Sequence, residues 1–414
     1  MIIKLNKLII TKYVLLLYSI LPAFSKISGM SLFYAFYIPL LVVLYWTYRR
    51  QSLLLYRTDT TFLLMFIIAI IYIPISIFIL HSASFTSVFF GIFMFLFPMT
   101  GYFFSRLINI NIFSQSVIFV GLIHATLGIL MYGFIQFPTS IQGMIELIKD
   151  GTMAFRMSSV SGSLGLGALM LVSFSFALTM LLKNKNKMNI VITLLLLFSL
   201  IMTMQRSAWL GACLYLFLVF IYIHLNSKTV LLKQNVYLFM FVLFGAGAIV
   251  LKYMDLNTFE FIISRISSIG GEGFNPIDER SSMWIAGIEN FMQVPSGIGL
   301  GTSGQAARVG EFASSYHGIS DGDYFRILSE LGIGALFFYF YLFTFIGILF
   351  FNLRNMSLEK ISIYLVVIGL SVNMIGSNTT EFHFVNFLYW MSLGYLFDKN
   401  LTKENNAINY NSKF

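Results

Sequence analysis

Long apolar segments separated by short polar ones make up most of the chain. A helix that crosses the hydrocarbon core of a bilayer needs about 20 apolar residues, or about 17 at the low end of the range. Twelve segments approach this length, and they lie at about 8–24, 30–48, 61–80, 85–105, 113–136, 163–182, 188–204, 207–225, 236–253, 329–351, 361–377 and 383–397. The pattern predicts an all-α polytopic membrane protein with about twelve transmembrane helices.

The composition agrees with this fold class. The 414 residues are 58% hydrophobic and only 10% charged, whereas a soluble domain averages about 25% charged residues. The net charge of +9 is no sign of nucleic-acid binding, because basic residues in membrane proteins follow topology. The N-terminal segment has a basic start and an apolar run without a clear small-x-small cleavage site, so we expect it to remain as the first span.

The basic residues between the apolar segments predict an orientation. With the N-terminus in the cytoplasm, every cytoplasmic loop contains lysine or arginine, as loops on that side usually do. Both termini are then cytoplasmic. The prediction divides the chain into 1–253 with spans one to nine, 254–328 as a large periplasmic loop, 329–397 with spans ten to twelve, and 398–414 as a cytoplasmic tail.

Arginine is unexpectedly frequent on the predicted periplasmic side. Nine basic residues fall there, and six of them are arginine: Arg156, Arg206, Arg265, Arg280, Arg308 and Arg326. A planar guanidinium binds phosphate or pyrophosphate through two parallel hydrogen bonds. The excess therefore indicates an anionic ligand on this side, although any one of these arginines could instead anchor a helix at the lipid headgroups.

Two of these arginines precede predicted helices. Arg206 lies between two apolar runs, at the outer end of one span and the start of the next. A helix N-terminus offers free N–H groups and a positive dipole end, so an anion beside Arg206 would be stabilised twice. Arg280 stands in IDERSSMW, where Asp278 and Glu279 could pair with it.

The large loop contains a predicted amphipathic helix. Residues 281–293 place Trp284, Ile288 and Phe291 on one helical face. The turn-rich PSGIGLGTSG that follows is expected to end this helix. A second amphipathic stretch lies within 137–162 and could rest on the membrane surface.

Candidate acid–base residues lie in SSYHGISDGDYFRILSELGIG. His317, Asp321 and Asp323 are candidates for a general base, which must come within hydrogen-bond distance of the proton that it removes. Arg326 follows Asp323 within one helical turn and could neutralise it. The other histidines are scattered without metal-ligand spacing, and Cys213 is the single cysteine, so no metal site is predicted.

Four pieces of the chain, in this order, resemble the O-antigen polymerase and O-antigen ligase superfamily of bacterial inner-membrane glycosyltransferases. They are FRMSSVSGSLGLGALM (155–170), TMQRSAWLGACLYL (203–216), RISSIGGEGFNPIDERSSMWIAGIENFMQVPSGIGLGTSG (265–304) and DGDYFRILSELGIGALFF (321–338). Together they cover roughly residues 150–350. Their order and spacing, with a long outer loop before the tenth span, carry the resemblance.

The resemblance implies a GT-C-like helical fold in which one long periplasmic loop contains short helices, and an enzyme that needs neither metal nor cofactor. The implied substrates are oligosaccharides on undecaprenyl pyrophosphate, with the lipid bilayer and a separate chain-length regulator protein as further partners. Arg206 and Arg280 are expected to bind the pyrophosphate, and either His317 or Asp321 is expected to act as the base. Arg156, Asp323, Tyr324 and Arg326 are the expected substrate-binding residues.

Three functions are compatible with these features. In ligases of the family a histidine stands at the position that is Asp321 here, and His317 lies four residues earlier. This difference favours a polymerase over a ligase that transfers finished glycan to lipid A core. The third alternative is a lipid-linked oligosaccharide flippase or other transporter, which would show internal repeats and mid-span charges. The two halves of the sequence show no convincing repeat.

Overall fold

The computed structural model describes residues 6–28, 36–49, 59–74, 88–89, 91–131, 157–159, 162–184, 186–225, 276–304 and 322–397. Every regular element in this part of the chain is a helix. Thirteen helices, numbered here in chain order, are α1 (Lys7–Ser28), α2 (Tyr37–Tyr48), α3 (Asp59–Pro74), α4 (Ile92–Phe104, which starts with a π-helical turn), α5 (Ile110–Ile129), α6 (Gly162–Lys183), α7 (Lys187–Met202), α8 (Arg206–Leu225), α9 (Pro276–Gln293), α10 (Asp323–Leu331), α11 (Ile333–Phe351), α12 (Leu358–Gly376) and α13 (His383–Leu396).

The all-helical prediction is confirmed for the described residues, and the number of spans is supported only in part. Five helices are long and apolar enough to cross a membrane: α5, α6, α8, α11 and α12. Helices α2, α4 and α7 are apolar but shorter. The predicted ninth span, 236–253, and the amphipathic stretch within 137–162 lie outside the described residues.

Two predicted boundaries differ from the structure for local reasons. The amphipathic helix α9 begins at Pro276 rather than near 281, because proline is well suited to a first helical turn. It ends at Gln293, directly before the turn-rich segment, as predicted. The predicted tenth span begins at Ile333 rather than 329, because Gly332 has a φ of 53° and separates α11 from the amphipathic α10.

Helices α6, α12 and α13 form the centre of the bundle. Nearly all side chains of α13 and most of α12 are buried. Helix α6 packs against α5, α7 and α12, and α12 packs against α8 and α13. Helices α8 and α11 expose large apolar side chains, among them Phe217, Phe340 and Phe351. Such exposed apolar faces fit a hydrocarbon environment.

Two sets of contacts define the ends of the bundle. At one end, which we call the Arg206 end, the start of α8 meets the end of α12, since Ser207 Oγ donates to Asn373 Oδ1 at 2.6 Å. At the other, Lys183 Nζ at the end of α6 bonds Glu359 Oε1 at the start of α12 at 2.7 Å. Tyr222 near the end of α8 bonds Met356, just before the start of α12, so α8 and α12 are antiparallel. The Ser207 and Lys183 contacts agree with the predicted alternation of spans, in which the Arg206 end faces the periplasm.

Candidate functional site

A tight turn presents Arg206 at the end of the bundle. Helix α7 ends at Met202 and α8 begins at Arg206, so only three residues connect two antiparallel helices. Among the described non-glycine residues only Met204 has a positive φ, 54°, in a region that L-residues rarely occupy. The Met204 side chain is buried. Backbone strain of this kind persists only where the surroundings hold it, and it is common at functional sites.

Arg206 lies where the sequence predicted it, at the junction of two apolar helices. It is the first residue of α8 and is partly buried. The residue that carries the guanidinium thus belongs to the first turn of α8, whose N-terminal N–H groups are nearby. Both features favour an anion at this end of the helix.

The two polar residues on either side of Arg206 hold the turn against the end of α12. Gln205 Nε2 donates to Asn373 Oδ1 at 3.0 Å and lies 3.3 Å from Ser377 Oγ. Ser207 Oγ donates to the same Asn373 oxygen. The residues on both sides of Arg206 are thus bonded to one buried asparagine. Sequence reasoning missed Asn373, and its only signal was an amide in the middle of an apolar helix.

Asn373 is also hydrogen-bonded to the segment that follows α12. Its Nδ2 donates to Thr379 Oγ1 at 3.0 Å, within the short 3-10 helix Thr379–Glu381 that joins α12 to α13. The neighbouring Thr380 donates its backbone N–H to Asp323 Oδ2 and its hydroxyl to Asp323 Oδ1, both at 2.6 Å. Hydrogen bonds along this segment therefore connect the Arg206 turn to α10.

Helix α10 contributes a buried charge cluster. The expected ion pair between Asp323 and Arg326 is present, with Nη2 of Arg326 3.0 Å from Asp323 Oδ1. Arg326 Nη1 also bonds Glu330 Oε2 at 3.1 Å, and its Nε lies 4.0 Å from Glu381 Oε1. Only 4% of Arg326 is exposed. Three carboxyl groups therefore surround one arginine in a site that water hardly reaches.

Burial shifts the protonation of these acids. It raises the pKa of Glu330 to about 7, although the Arg326 guanidinium and the backbone N–H of Ser303 both favour the carboxylate. Burial also raises the pKa of Asp323, against the opposing effects of Arg326 and the Thr380 donors. With more acids than bases in the cluster, one buried carboxyl group gains from holding a proton.

The turn-rich segment after α9 packs on the end of α10. The backbone N–H groups of Ile298 and Gly299 donate to the carbonyls of Ser329 and Glu330 at 2.9 and 3.1 Å. The Ser303 N–H donates to Glu330 Oε1 at 3.0 Å. A Cβ on Gly304 would lie 1.9 Å from Glu381 Oε1, so only glycine fits there. This loop therefore closes over the charge cluster.

Helix α9 is held beside α10 by its predicted apolar face. The ring of Trp284 stacks on Phe325, with centroids 5.2 Å apart. Asn290 Nδ2 donates to Ser329 Oγ at 3.1 Å. Arg280 lies one turn before Trp284 on α9, and its side chain is outside the described part. The structure thus places the backbone at Arg280 near α10.

The structure places the other predicted site residues as follows. Tyr324 is on α10, and its hydroxyl donates to the Ser371 carbonyl of α12 at 2.9 Å. Arg156, His317 and Asp321 lie outside the described residues, as does Arg265. Met157, which follows Arg156, donates its N–H to Met202 O at 2.9 Å, at the Arg206 end.

An apolar groove of about 960 Å³ runs along the outside of the bundle. Helices α8, α11 and α12 form its walls, with side chains such as Phe217, Phe343 and Ile368. Ile288 of α9 and Phe325 of α10 contribute to its lining as well. Helix α8 thus carries both Arg206 and one wall of the groove. The lining at Leu214 starts about 12 Å along the axis from Arg206, at about 1.5 Å per residue.

No three His, Cys, Asp or Glu side chains in the described segments are arranged to hold a metal ion. The described residues therefore combine three features. Arg206 begins α8, a buried charge cluster on α10 is connected to its turn by hydrogen bonds, and α8 also forms one wall of an apolar groove.

A search of curated proteins returned no match. A family model described as O-antigen ligase matches residues 191–340. The matched segment contains the Arg206 turn, α8, α9, α10 and the beginning of α11. Residues 191–340 of this helical membrane protein are therefore similar to the O-antigen polymerase and ligase superfamily.

Proposed function

We propose that the protein is a polymerase that joins undecaprenyl-pyrophosphate-linked repeat units at the periplasmic face of the inner membrane. The growing chain on one lipid is the donor, and the outer sugar of a repeat unit on a second lipid is the acceptor. The product is O-antigen or a related surface polysaccharide.

One observation carries this proposal: helix α8 bears a guanidinium at its N-terminus and an apolar groove wall two turns further on. A lipid-linked pyrophosphate has the same two parts, an anionic head and a long isoprenoid tail. Arg206 and the N-terminus of α8 would bind the head, and the groove beside Leu214 and Phe217 would take the tail.

The reaction is a direct displacement. The acceptor hydroxyl oxygen forms a bond with the anomeric carbon of the donor sugar, and the bond from that carbon to the pyrophosphate oxygen breaks. Undecaprenyl pyrophosphate leaves with the electron pair, and the acceptor proton passes to a base. Arg206 and Arg280, with Arg156, stabilise the charge that develops on the leaving group. Positive charge fixed in advance at such a position is often the largest contribution to catalysis.

The base remains one of two candidates, Asp321 or His317. Asp321 directly precedes Gly322, which has a φ of 98° and begins α10. A Cβ on Gly322 would lie 2.7 Å from Trp284 Nε1. Gly322 is therefore held against α9, the helix that also carries Arg280, and next to the charge cluster of α10.

Asp323 and Arg326 were predicted as substrate-binding residues, and their contact with substrate stays a prediction. Their side chains bond each other, Thr380 and Glu330. These contacts support a role in holding α10 in place. Of the three predicted residues on α10, Tyr324 is the best placed to contact a bound lipid, because it lines the groove.

The ligase is the second candidate, and the description of the matching family model as O-antigen ligase favours it. Deletion of the gene separates the two. A strain without a polymerase makes lipopolysaccharide with single repeat units, whereas a strain without a ligase makes none with repeat units attached. The polysaccharide ladder on a gel reads out this difference, and the single-repeat product is the result we expect.

Complementation of the deletion strain tests Arg206. We expect Arg206→Lys to shorten the chains strongly although the positive charge is kept, because the forked geometry is lost. Arg206→Ala should still insert into the membrane, since the site lies at a helix end. Arg354→Lys, at an exposed position near the end of α11, is the matched control and should restore the wild-type ladder. Wild-type chain length with Arg206→Lys would contradict the proposed role.

A further inference from the structure

We propose that Asn373 and Gln205 are positioning residues that fix the direction of the Arg206 side chain, an inference that rests on the proposed function of Arg206. Neither residue need touch the substrate. They act through the backbone of the turn that precedes α8.

The first support is the pattern of bonds on either side of Arg206. Gln205 and Ser207 both donate to the same Asn373 oxygen, at 3.0 and 2.6 Å. Asn373 is completely buried and Gln205 is 4% exposed. Two bonds to one fixed acceptor leave the residue between them little freedom to rotate. A buried amide bonded in this way is costly to remove, because Gln205 and Ser207 lose hydrogen bonds that offset their burial.

The second support is the strained turn. Met204 holds a φ of 54° immediately before Gln205. Such a conformation is unfavourable for a residue other than glycine and persists only when neighbouring contacts impose it. The Gln205 and Ser207 bonds to α12 are contacts of that kind. Without them the turn is free to relax, and Arg206 would move with it.

The third support is the space reserved for Gln205. Gly167 of α6 faces its amide, and a Cβ at this glycine would lie 2.0 Å from Gln205 Oε1. Thr203 Oγ1 would lie 3.0 Å from the same Cβ. Helix α6 therefore leaves a gap that the Gln205 amide fills. A glycine at position 167 therefore makes room for the Gln205 amide as well as allowing close helix packing.

Further hydrogen bonds connect Asn373 to the start of α10. Asn373 donates to Thr379, and Thr380 donates twice to Asp323. The segment before α10 carries Asp321 and His317, the two candidate bases. The Arg206 turn and the start of α10 are thus held by the same short 3-10 helix. Movement at Asn373 would disturb the relative position of the leaving-group site and the base.

Two variants test this proposal. Asn373→Ala removes the shared acceptor, and Gly167→Ala displaces the Gln205 amide without removing any polar group. Thr193→Val is the matched control, since Thr193 is buried in α7 and bonds only the Ala177 and Asn189 carbonyls. The purified full-length proteins are compared by size-exclusion profile, so that variants that fail to fold are recognised. Gly167→Ala keeps the test decisive should Asn373→Ala be among them.

The first readout is hydrogen exchange in a peptide that covers 203–210. We expect faster exchange there in both variants and no change in the control. Unchanged exchange would overturn the positioning proposal and would leave the proposed function of Arg206 untouched.

The second readout is a double-mutant cycle on polymerisation rate. We expect each variant to lower kcat about 10- to 100-fold in the wild-type background, in line with the cost of misplacing a catalytic group by about 1 Å. In an Arg206→Lys background the further loss should be less than about twofold, because coupled residues are non-additive. Equal losses in both backgrounds would show a general structural role and overturn the proposal. If Arg206→Lys alone retains the full rate, the proposed function fails instead.

Discussion

Two arginines at the same end of the bundle differ in how deeply they are buried. Arg206 is partly buried at the start of α8, while Arg326 is 4% exposed and its three guanidinium nitrogens contact Asp323, Glu330 and Thr380. In the sequence both counted equally toward an excess of arginine on one side. The structure supports a bracing role for Arg326, and anion binding at Arg206 stays a prediction.

Removal of the Arg326 charge should destabilise the protein strongly. Arg326→Met leaves Asp323, Glu330 and Glu381 buried without their cation, and breaking a buried pair in this way costs about 3–5 kcal/mol. Lys183→Met is the control, because Lys183 is 56% exposed in its pair with Glu359 and such pairs contribute about 0–1 kcal/mol. Thermal unfolding in detergent measures both. Similar midpoints for Arg326→Met and the wild type would contradict the bracing role.

The charge cluster also predicts a pH dependence of stability. Because burial raises the pKa of Glu330 to about 7, the folded protein binds more protons than the unfolded chain between the ordinary carboxyl pKa of about 4.3 and about pH 7. Stability should therefore fall as the pH rises through this window. Asp323, Glu381 and Arg326 are the charged groups that face Glu330, and the raised pKa of Asp323 acts in the same direction.

Glu330→Gln separates the contribution of Glu330 from that of its neighbours. The variant keeps the size of the side chain and cannot ionise, so its unfolding midpoint should change less between pH 5 and pH 7.5 than that of the wild type. An equal or larger change in the variant would show that Glu330 does not hold the proton.

At the scale of helices, the packing of α8 on α12 determines where Arg206 lies. Gly211 and Gly369 let the two helices approach closely, and the backbone O of Gly369 would lie 3.3 Å from a Cβ on Gly211. Tyr222 Oη at the far end of α8 bonds Met356 O at 3.0 Å. The two helices are thus held together along their whole length.

A methyl group at this interface should weaken it. A Cβ on Gly369 would lie 2.2 Å from the Tyr215 hydroxyl, so Gly369→Ala must displace a fully buried tyrosine ring, and overpacking typically costs about 1–3 kcal/mol. Gly347→Ala is the control, because nothing lies within 4 Å of its added Cβ. Thermal unfolding should show a lower midpoint for Gly369→Ala alone. Equal midpoints for the two variants would indicate a looser interface.

Contacts between neighbouring residues could be predicted from the sequence, and contacts between distant ones could not. Arg326 lies three residues from Asp323, so helical geometry alone pairs them. Asn373 lies 168 residues from Gln205, and its role depends on the antiparallel packing of α8 and α12. The apolar pattern indicated both helices but not which faces meet. For that reason the arginines could be predicted from the sequence as site residues, whereas Asn373, which bonds the residues beside Arg206, could not.

At the scale of the whole molecule, the described helices form one bundle with a polar network at the Arg206 end. Four separate parts of the chain meet there: the turn before α8, the loop 297–304, the start of α10 and the 3-10 helix after α12. The alternation of basic loops predicted that these parts lie on one side. The hydrogen bonds place them together, and their position in the periplasm stays a prediction.

The most direct test of the central claim uses purified protein in proteoliposomes with a lipid-linked repeat unit as the only substrate. If Arg206 stabilises a departing pyrophosphate, the wild type forms polymer and releases one undecaprenyl pyrophosphate for each new glycosidic bond. Arg206→Lys should lower both rates together by about 10²-fold, the usual cost of losing one such charge contact. Polymer formation by Arg206→Lys at the wild-type rate would contradict the account.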